Sequence, residues 1–261
     1  MQDEAEEKTE ERRDIIHSLE KGLAVIRAFD RNHSHMTLSD VSRRTGLTRA
    51  TSRRLLHTLV ATGYARTDGR LFELSPRVLE LGYAYLSSFG IADVAEVYMK
   101  EVSDQIGEGC SLGVIDDGDV ICVARVTTER VMAETLTVGT RLSSFTSTLG
   151  HILLAELTSA EIDSFWQQQV LRNPENVPSS KADFEEQLEV VRQRGYAIVD
   201  EQFELGVRSI AVPIHDRRNK VIAAMSVGAH AGRVSMDDML NNVLPVLRGA
   251  ARDTERAIGN F

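Results

Sequence analysis

The sequence predicts a two-domain α+β chain: a winged helix-turn-helix at residues 18–75, a linker helix at 76–90 and an α/β domain at 91–261. Three observations lead there. The stretch Thr37–Ser75 reads as two short helices around a glycine turn, followed by a hairpin. Seven arginines in it oppose Asp40, Asp68 and Glu73, a local charge of +4 in a chain of net charge −9. Beyond residue 90, helical periodicity alternates with apolar runs of strand length.

Taken in order, residues 1–17 begin MQDEAEEKTEERRD. Such a segment has nothing to bury and no apolar stretch of signal-peptide kind, so a disordered acidic tail is expected. Ser18–Asp30 is amphipathic, with Ser18 as cap and Leu19, Leu23, Ile26 and Phe29 on one stripe, suited to pack behind the next helices or against a second subunit. Thr37 is an N-cap with Asp40 three residues on, and Gly46 ends that helix in the left-handed conformation. Leu47 fills the angle between helices and Thr48 caps the second.

In the second helix, Thr51, Leu55 and Leu59 fall on one face, with Ser52 and Leu56 at its edge. Arg49, Ala50, Arg53 and His57 point the opposite way, with Arg54 on the flank. That division suits a helix entering the major groove of double-stranded DNA. Arg49 and Arg53 are assigned to base edges, since a guanidinium can take guanine O6 and N7 together. Thr48, Ser52 and Arg54 are assigned nearer the phosphates. Asp68–Gly69 then turns a hairpin flanked by Arg66 and Arg70, a wing beside a phosphate strand. A winged helix that binds only protein is the competing reading.

Ser75-Pro76 caps the linker helix, which runs to about Phe89. A helix is expected at Asp93–Gly107, then two strands about the turn Asp116–Asp119 and further strand at Val131–Val138. Helices follow at Ser147–Leu157, Ala160–Val170 and Lys181–Arg194. YAIVD, RSIAVPI and KVIAAMSVGA are strands, the last two joined at Asp216–Asn219, and a helix runs from Ser235 to about Ile258.

Chemistry-bearing motifs are sparse. There is no GxSxG, Walker or GxGxxG pattern, so no catalytic residue and no cofactor is assigned. The 7 histidines are scattered without paired spacing, so no metal is expected. Cys110 and Cys122 lack CxxC spacing and read as reduced, half-buried thiols, with a redox pair as the alternative. No apolar run approaches the ~20 residues that span a bilayer, and a cytoplasmic location without membrane contact is expected. What remains is FTSTLGHILL, which sets Ser147, Thr148, Leu149 and Gly150 at a helix start, where free N–H groups suit a carboxylate. The same residues also make an ordinary cap. Arg125 lies in a strand-like run, facing inward or forming rim charge; Asp200, Ser209 and Ser226 lie at or near strands.

The strings SLEKGLAVIRAF, GLTRATSRRLLHTL, LSPRVLELGYAYLSS, VGTRLSSFTSTLGHILLAEL and RGYAIVDEQFELGVRSIAVPI resemble the IclR (isocitrate-lyase-regulator) family of bacterial transcription factors, over Ser18–Ile258. TRATSRRLL and LGYAYLSS look most like its subgroup controlling aromatic-acid catabolism through the β-ketoadipate pathway. The resemblance implies a C-terminal GAF-like effector-binding domain, a homodimer or homotetramer, a DNA operator and a small carboxylate effector. It places the effector at Ser147, Thr148, Leu149, Gly150, Asp200, Ser209 and Ser226, to which Arg125 is added as a bidentate carboxylate partner. Ser143 stands where the subgroup has proline, and His151 where Lys or Arg is common. A GAF-like redox enzyme using Cys110 and Cys122, and a repressor indifferent to effectors, are the rival readings.

Overall fold

The computed structural model describes residues 15–81, 90–128, 136–202 and 205–258. The chain divides into two compact units, Met1–Tyr85 and Leu86–Phe261.

The first unit comprises α1 (His17–Arg27), β1 (Met36–Thr37), α2 (Leu38–Thr45), α3 (Arg49–Ala61), β2 (Ala65–Thr67) and β3 (Leu71–Leu74). Local hydrogen bonds set its boundaries. The Thr37 hydroxyl accepts from the Asp40 amide while the Asp40 carboxylate accepts from the Thr37 amide and hydroxyl, which holds the Asp40 carboxyl below its ordinary value. Gly46 stops α2 at φ 68°, a conformation that costs glycine little. Thr48 caps α3 by accepting from the Thr51 amide.

Strand β1 was not anticipated. Two residues long, it is too short for a periodic signal, yet it pairs with β3 in an antiparallel sheet of order β1-β3-β2. Val25, Met36, Val41, Leu56, Leu59 and Phe72 close the core beneath.

Helix α1 departs from expectation. It begins at His17 after Ile16, with no side-chain cap, so Ser18 is not its cap and residue 17 does not belong to the tail. Leu19 and Leu23 are 62% and 45% exposed, whereas Val25 and Ala28 are buried. The packed stripe is therefore displaced, because only the C-terminal half of α1 reaches the core.

Ser75 accepts from the Arg77 amide, and Pro76 opens a 3₁₀ turn, Pro76–Val78, that continues as helix to residue 81. The rest of the expected linker helix, residues 82–89, lies outside the described residues, as do tail residues 1–14.

The second unit runs α4 (Ile91–Ile106), β4 (Gly109–Asp116), β5 (Asp119–Val126), β6 (Arg141–Ser143), α5 (Thr148–Ala155), α6 (Ser159–Arg172), α7 (Lys181–Arg194), β7 (Ala197–Asp200), β8 (Val207–His215), β9 (Val221–His230), α8 (Met236–Asp238), a π turn (Met239–Val243) and α9 (Leu244–Ile258). Its six strands form one antiparallel sheet, β6-β5-β4-β9-β8-β7. The strand expected at Val131–Val138 falls partly outside the described residues; Thr137–Thr140 is a turn, and the strand comes later, as β6.

Strand alternation divides the sheet into two faces. Helices α4 and α9 cover one, over Leu112, Ile210, Val212, Ile214, Met225 and Val227. Helix α5 lies across β4, β9 and β8 on the other, continuous with Phe145, Leu149, Phe184, Leu188 and Ala211. Gly150 allows the segment leading into α5 to pack closely on the helix, since a Cβ there would sit 2.2 Å from the Ser144 carbonyl oxygen.

Candidate functional site

Two regions carry polar groups that the fold itself does not use. The first is the outer face of α3 and the wing. Thr48, Arg49, Ala50, Arg53 and Arg54 are exposed, and so are Arg66 and Arg70. The exposed face centres on Ala50 and His57, with Arg53 and Arg54 to either side. His57 leans edge-on against Phe72, which ties α3 to β3. At the wing tip the amides of Leu71 and Arg70 donate to the Asp68 carboxylate and hold its pKa down.

Ion pairing separates the arginines. Arg43 and Arg44 bind Asp40 and Asp30, respectively. Among the described residues, Arg49, Arg53, Arg54 and Arg66 form no ion pair, while the charge of Arg70 bears on Asp68 without a direct ion pair. Ser52 corrects the expectation. It is 0% exposed and lines up with Leu56 and Leu59 in the buried stripe, so it cannot reach a phosphate. Rotating the stripe by one residue moves Ser52 inside and leaves Thr51 and Leu55 half-buried at its border.

The second region is on the α5 face of the sheet. Residues opposite one another on antiparallel strands share a face. Ser111 pairs with both Arg125 and Ser226, and Ser226 with Ala211; Gly228 pairs with Gly109 and Ser209. Arg125 reaches back across β4: its Nη1 donates to Ser111 Oγ at 2.7 Å, and its Nη2 lies 3.3 Å from where a Gly109 Cβ would stand. Arg125 Nε is buried and has no hydrogen-bond partner among the described residues. Across the face, buried Thr148 donates its hydroxyl to Ser209 Oγ at 3.2 Å.

Thus the structure brings Arg125, Thr148, Ser209 and Ser226 onto one polar floor, and adds Ser111, which sequence reasoning missed. Its signal was slight: only the alternation of CSLGV places Ser111 on the face opposite Cys110 and Leu112.

Asp200 is a correction. It pairs opposite Arg208, whose guanidinium binds it, and the parity of β7 and β8 sends both to the α4 and α9 face. Three further residues lie at the helix start as expected, with their side chains engaged by the fold. The Ser147 hydroxyl is taken by the Gly150 amide as helix cap, the Leu149 side chain enters the core, and Gly150 packs on Ser144. The Ser147 and Gly150 amides are taken as well, by the Ser143 carbonyl and the Ser147 hydroxyl. The Thr148 and Leu149 amides lie in the first turn of α5, where a helix offers them no intrahelical carbonyl.

Other titratable groups are locked. Both cysteines are fully buried rather than half-buried, and burial pushes the Cys110 thiol up to about 12 and the Cys122 thiol up to about 11. A reactive cysteine needs its thiolate. Cys110 stands opposite Val126 and Cys122 opposite Gly113, so the two are also out of register for a disulfide.

His151 donates from Nε2 to the Phe145 carbonyl at 2.6 Å in its neutral form. Burial, reinforced by Arg194, holds its pKa below 6.5. The unfolded chain therefore binds this proton more readily. The stability His151 contributes is complete above pH 6.5 and drains as pH falls from there through the lower folded value. His151→Gln keeps a donor without the titration, so its melting temperature should fall less between pH 7.5 and 5.5 than the parent's, by roughly the share this histidine carries. Parallel pH profiles by scanning calorimetry would refute that.

A winged helix-turn-helix with an unpaired arginine face, joined to a sheet unit bearing a half-buried arginine on a polar floor, defines a DNA-binding transcriptional regulator as a class. Residues 18–69 match the IclR helix-turn-helix domain, and residues 83–256 match the bacterial transcriptional regulator IclR C-terminal domain. The chain belongs to the IclR family.

Among relatives, it is 38% identical over 249 residues to the Pca regulon regulatory protein of Pseudomonas putida, covering 92% of this chain and 83% of that protein. It is 32% identical to the p-hydroxybenzoate hydroxylase transcriptional activator of Acinetobacter baylyi, covering 94% and 93%. A crystal structure of a transcriptional regulator from Rhodococcus sp. RHA1 superposes with TM-score 0.84 at 38% identity, over 94% of this chain and 99% of that one. The fold is shared at TM-score 0.81 and 22% identity, over 94% and 100%, by an IclR homologue from Microbacterium hydrocarbonoxydans crystallised with 4-hydroxybenzoate. Among the described residues no helix is long and apolar enough to cross a membrane, and no group of three or more His, Cys, Asp or Glu could hold a metal ion.

Proposed function

We propose that the protein is a cytoplasmic regulator of aromatic-compound catabolism genes that reads its operator with α3 and the wing and is controlled by an aromatic carboxylate on the polar floor. The observation that carries this is Arg125: a buried guanidinium nitrogen without an acceptor, on the same sheet face as a hydroxyl pair, suits an anion bearing a second polar group. The names of the relatives, and the 4-hydroxybenzoate in one of them, support the same chemical class. The exposed Leu19 and Leu23 on α1 support a homo-oligomer, dimer or tetramer, that presents two α3 helices to one operator. The acid then acts by binding one arrangement of subunits more tightly than another.

The test is fluorescence anisotropy with DNA from upstream of the protein's own gene, against random DNA, with and without 4-hydroxybenzoate. Preference for the upstream DNA that shifts with the acid is expected; equal affinity for both would count against the operator reading. In the same assay Arg53→Ala should lose about 1–3 kcal/mol on the preferred sequence and relax discrimination. Arg70→Ala should weaken both DNAs alike and lower the salt slope by about 1. The reverse pattern would exchange their roles.

A further inference from the structure

Glycine inside a strand weakens it, so a strand glycine calls for a reason. Most glycines around the polar floor have one. A Cβ at Gly113 would sit 2.7 Å from Val120 Cγ1, one at Gly150 would strike the Ser144 backbone, and one at Gly109 would press on the Arg125 guanidinium. Gly228 is different. It lies in the middle of the row Gly109, Gly228, Ser209, its φ is not in the left-handed region, and a Cβ there would meet no described atom within 4 Å. Neither backbone conformation nor packing requires glycine at 228.

We infer that Gly228 is a specificity-determining residue, whose absent side chain leaves a flat floor for a planar aromatic ring between the Arg125 guanidinium and the Thr148–Ser209 hydroxyl pair. This rests on the reading of the floor as an effector site. The geometry agrees. The row crosses three adjacent strands, β4, β9 and β8, so Gly109 and Ser209 stand roughly 10 Å apart. That span takes one aromatic ring with a carboxylate at one end and a hydroxyl at the other. A side chain on the middle strand would occupy the ring's place while leaving both polar ends intact. Selectivity for flat over branched or aliphatic acids then follows from one position.

The experiment uses the full-length protein and its Gly228→Ala, Gly228→Val and Arg125→Ala variants, with 4-hydroxybenzoate as probe, reading ligand-free melting temperature and calorimetric affinity. The Gly228 variants should melt at or above the parent temperature, because valine and alanine suit a strand better than glycine does. Affinity should drop by about 10-fold in Gly228→Ala and further in Gly228→Val. Binding by Gly228→Val within about twofold of the parent, with Arg125→Ala defective, would overturn the inference and leave the effector reading standing. A Gly228→Val protein melting well below the parent would also overturn it, by showing that packing requires the glycine. A parent protein that binds no 4-hydroxybenzoate would remove the inference together with the aromatic-acid reading beneath it.

Discussion

Arg125→Ala should lose its response to 4-hydroxybenzoate while the ligand-free protein stays as stable as the parent. The two halves of that expectation come from one observation. In the structure Arg125 Nε is buried without an acceptor among the described residues and Nη1 donates to Ser111. A buried unpaired donor is a cost, so removing it offsets the lost Ser111 hydrogen bond. In the proposed complex with the acid, the same guanidinium is the carboxylate's charged partner. Truncating one member of a buried, hydrogen-bonded charge pair costs about 2–5 kcal/mol, at least ~30-fold in affinity. Arg125→Lys keeps the charge but loses the planar fork, and should fall between. Titration calorimetry decides the first half and thermal melting the second. Unchanged affinity in Arg125→Ala would remove this residue from the site.

The largest effect on stability is expected from Arg233→Ala. Glu108, just before β4, is 2% exposed, and its carboxylate accepts from Arg233 Nε and Nη2 at 3.1–3.2 Å. The arginine, at 38% exposure, keeps much of its hydration, so the cost falls on the carboxylate. Leaving that charge unpaired should destabilise the unit by about 3–5 kcal/mol. In a unit of this size that is on the order of 10 °C in melting temperature. Adding Glu108→Gln should restore a good part of it, because a neutral amide tolerates burial better than an orphaned anion. Urea unfolding of both variants tests the pair; no rescue in the double variant would mean that Arg233 acts through packing instead.

These two arginines also mark what the sequence could and could not disclose. The winged helix was legible in detail because its signals are local. Thr37, Gly46, Thr48 and the Asp68–Gly69 turn each act on residues within a few positions. The caps of α5 and α9's approach, Ser147 and Ser235, were readable for the same reason. The polar floor was only partly legible, because facing depends on register. Asp200 and Ser209 both look like polar strand residues, but one step of parity sends them to opposite faces. Parity also hid Ser111, and a one-residue rotation of the α3 stripe hid the burial of Ser52. The Glu108–Arg233 pair joins residues 125 positions apart, beyond any local pattern. Gly228 was silent because nothing in sequence separates a glycine required by packing from one that is not.

Antiparallel alternation in β8 and β9 has a consequence for how such a regulator changes over generations. Ile210, Val212, Met225 and Val227 secure one side, while Ser209, Ser226 and Gly228 look out on the other. Neighbouring codons thus answer to separate selective pressures. On the proposed reading of the floor, a substitution at 209, 226 or 228 alters which metabolite is sensed without disturbing the hydrophobic face beneath, so signal preference can drift stepwise along a lineage of intact, folded intermediates.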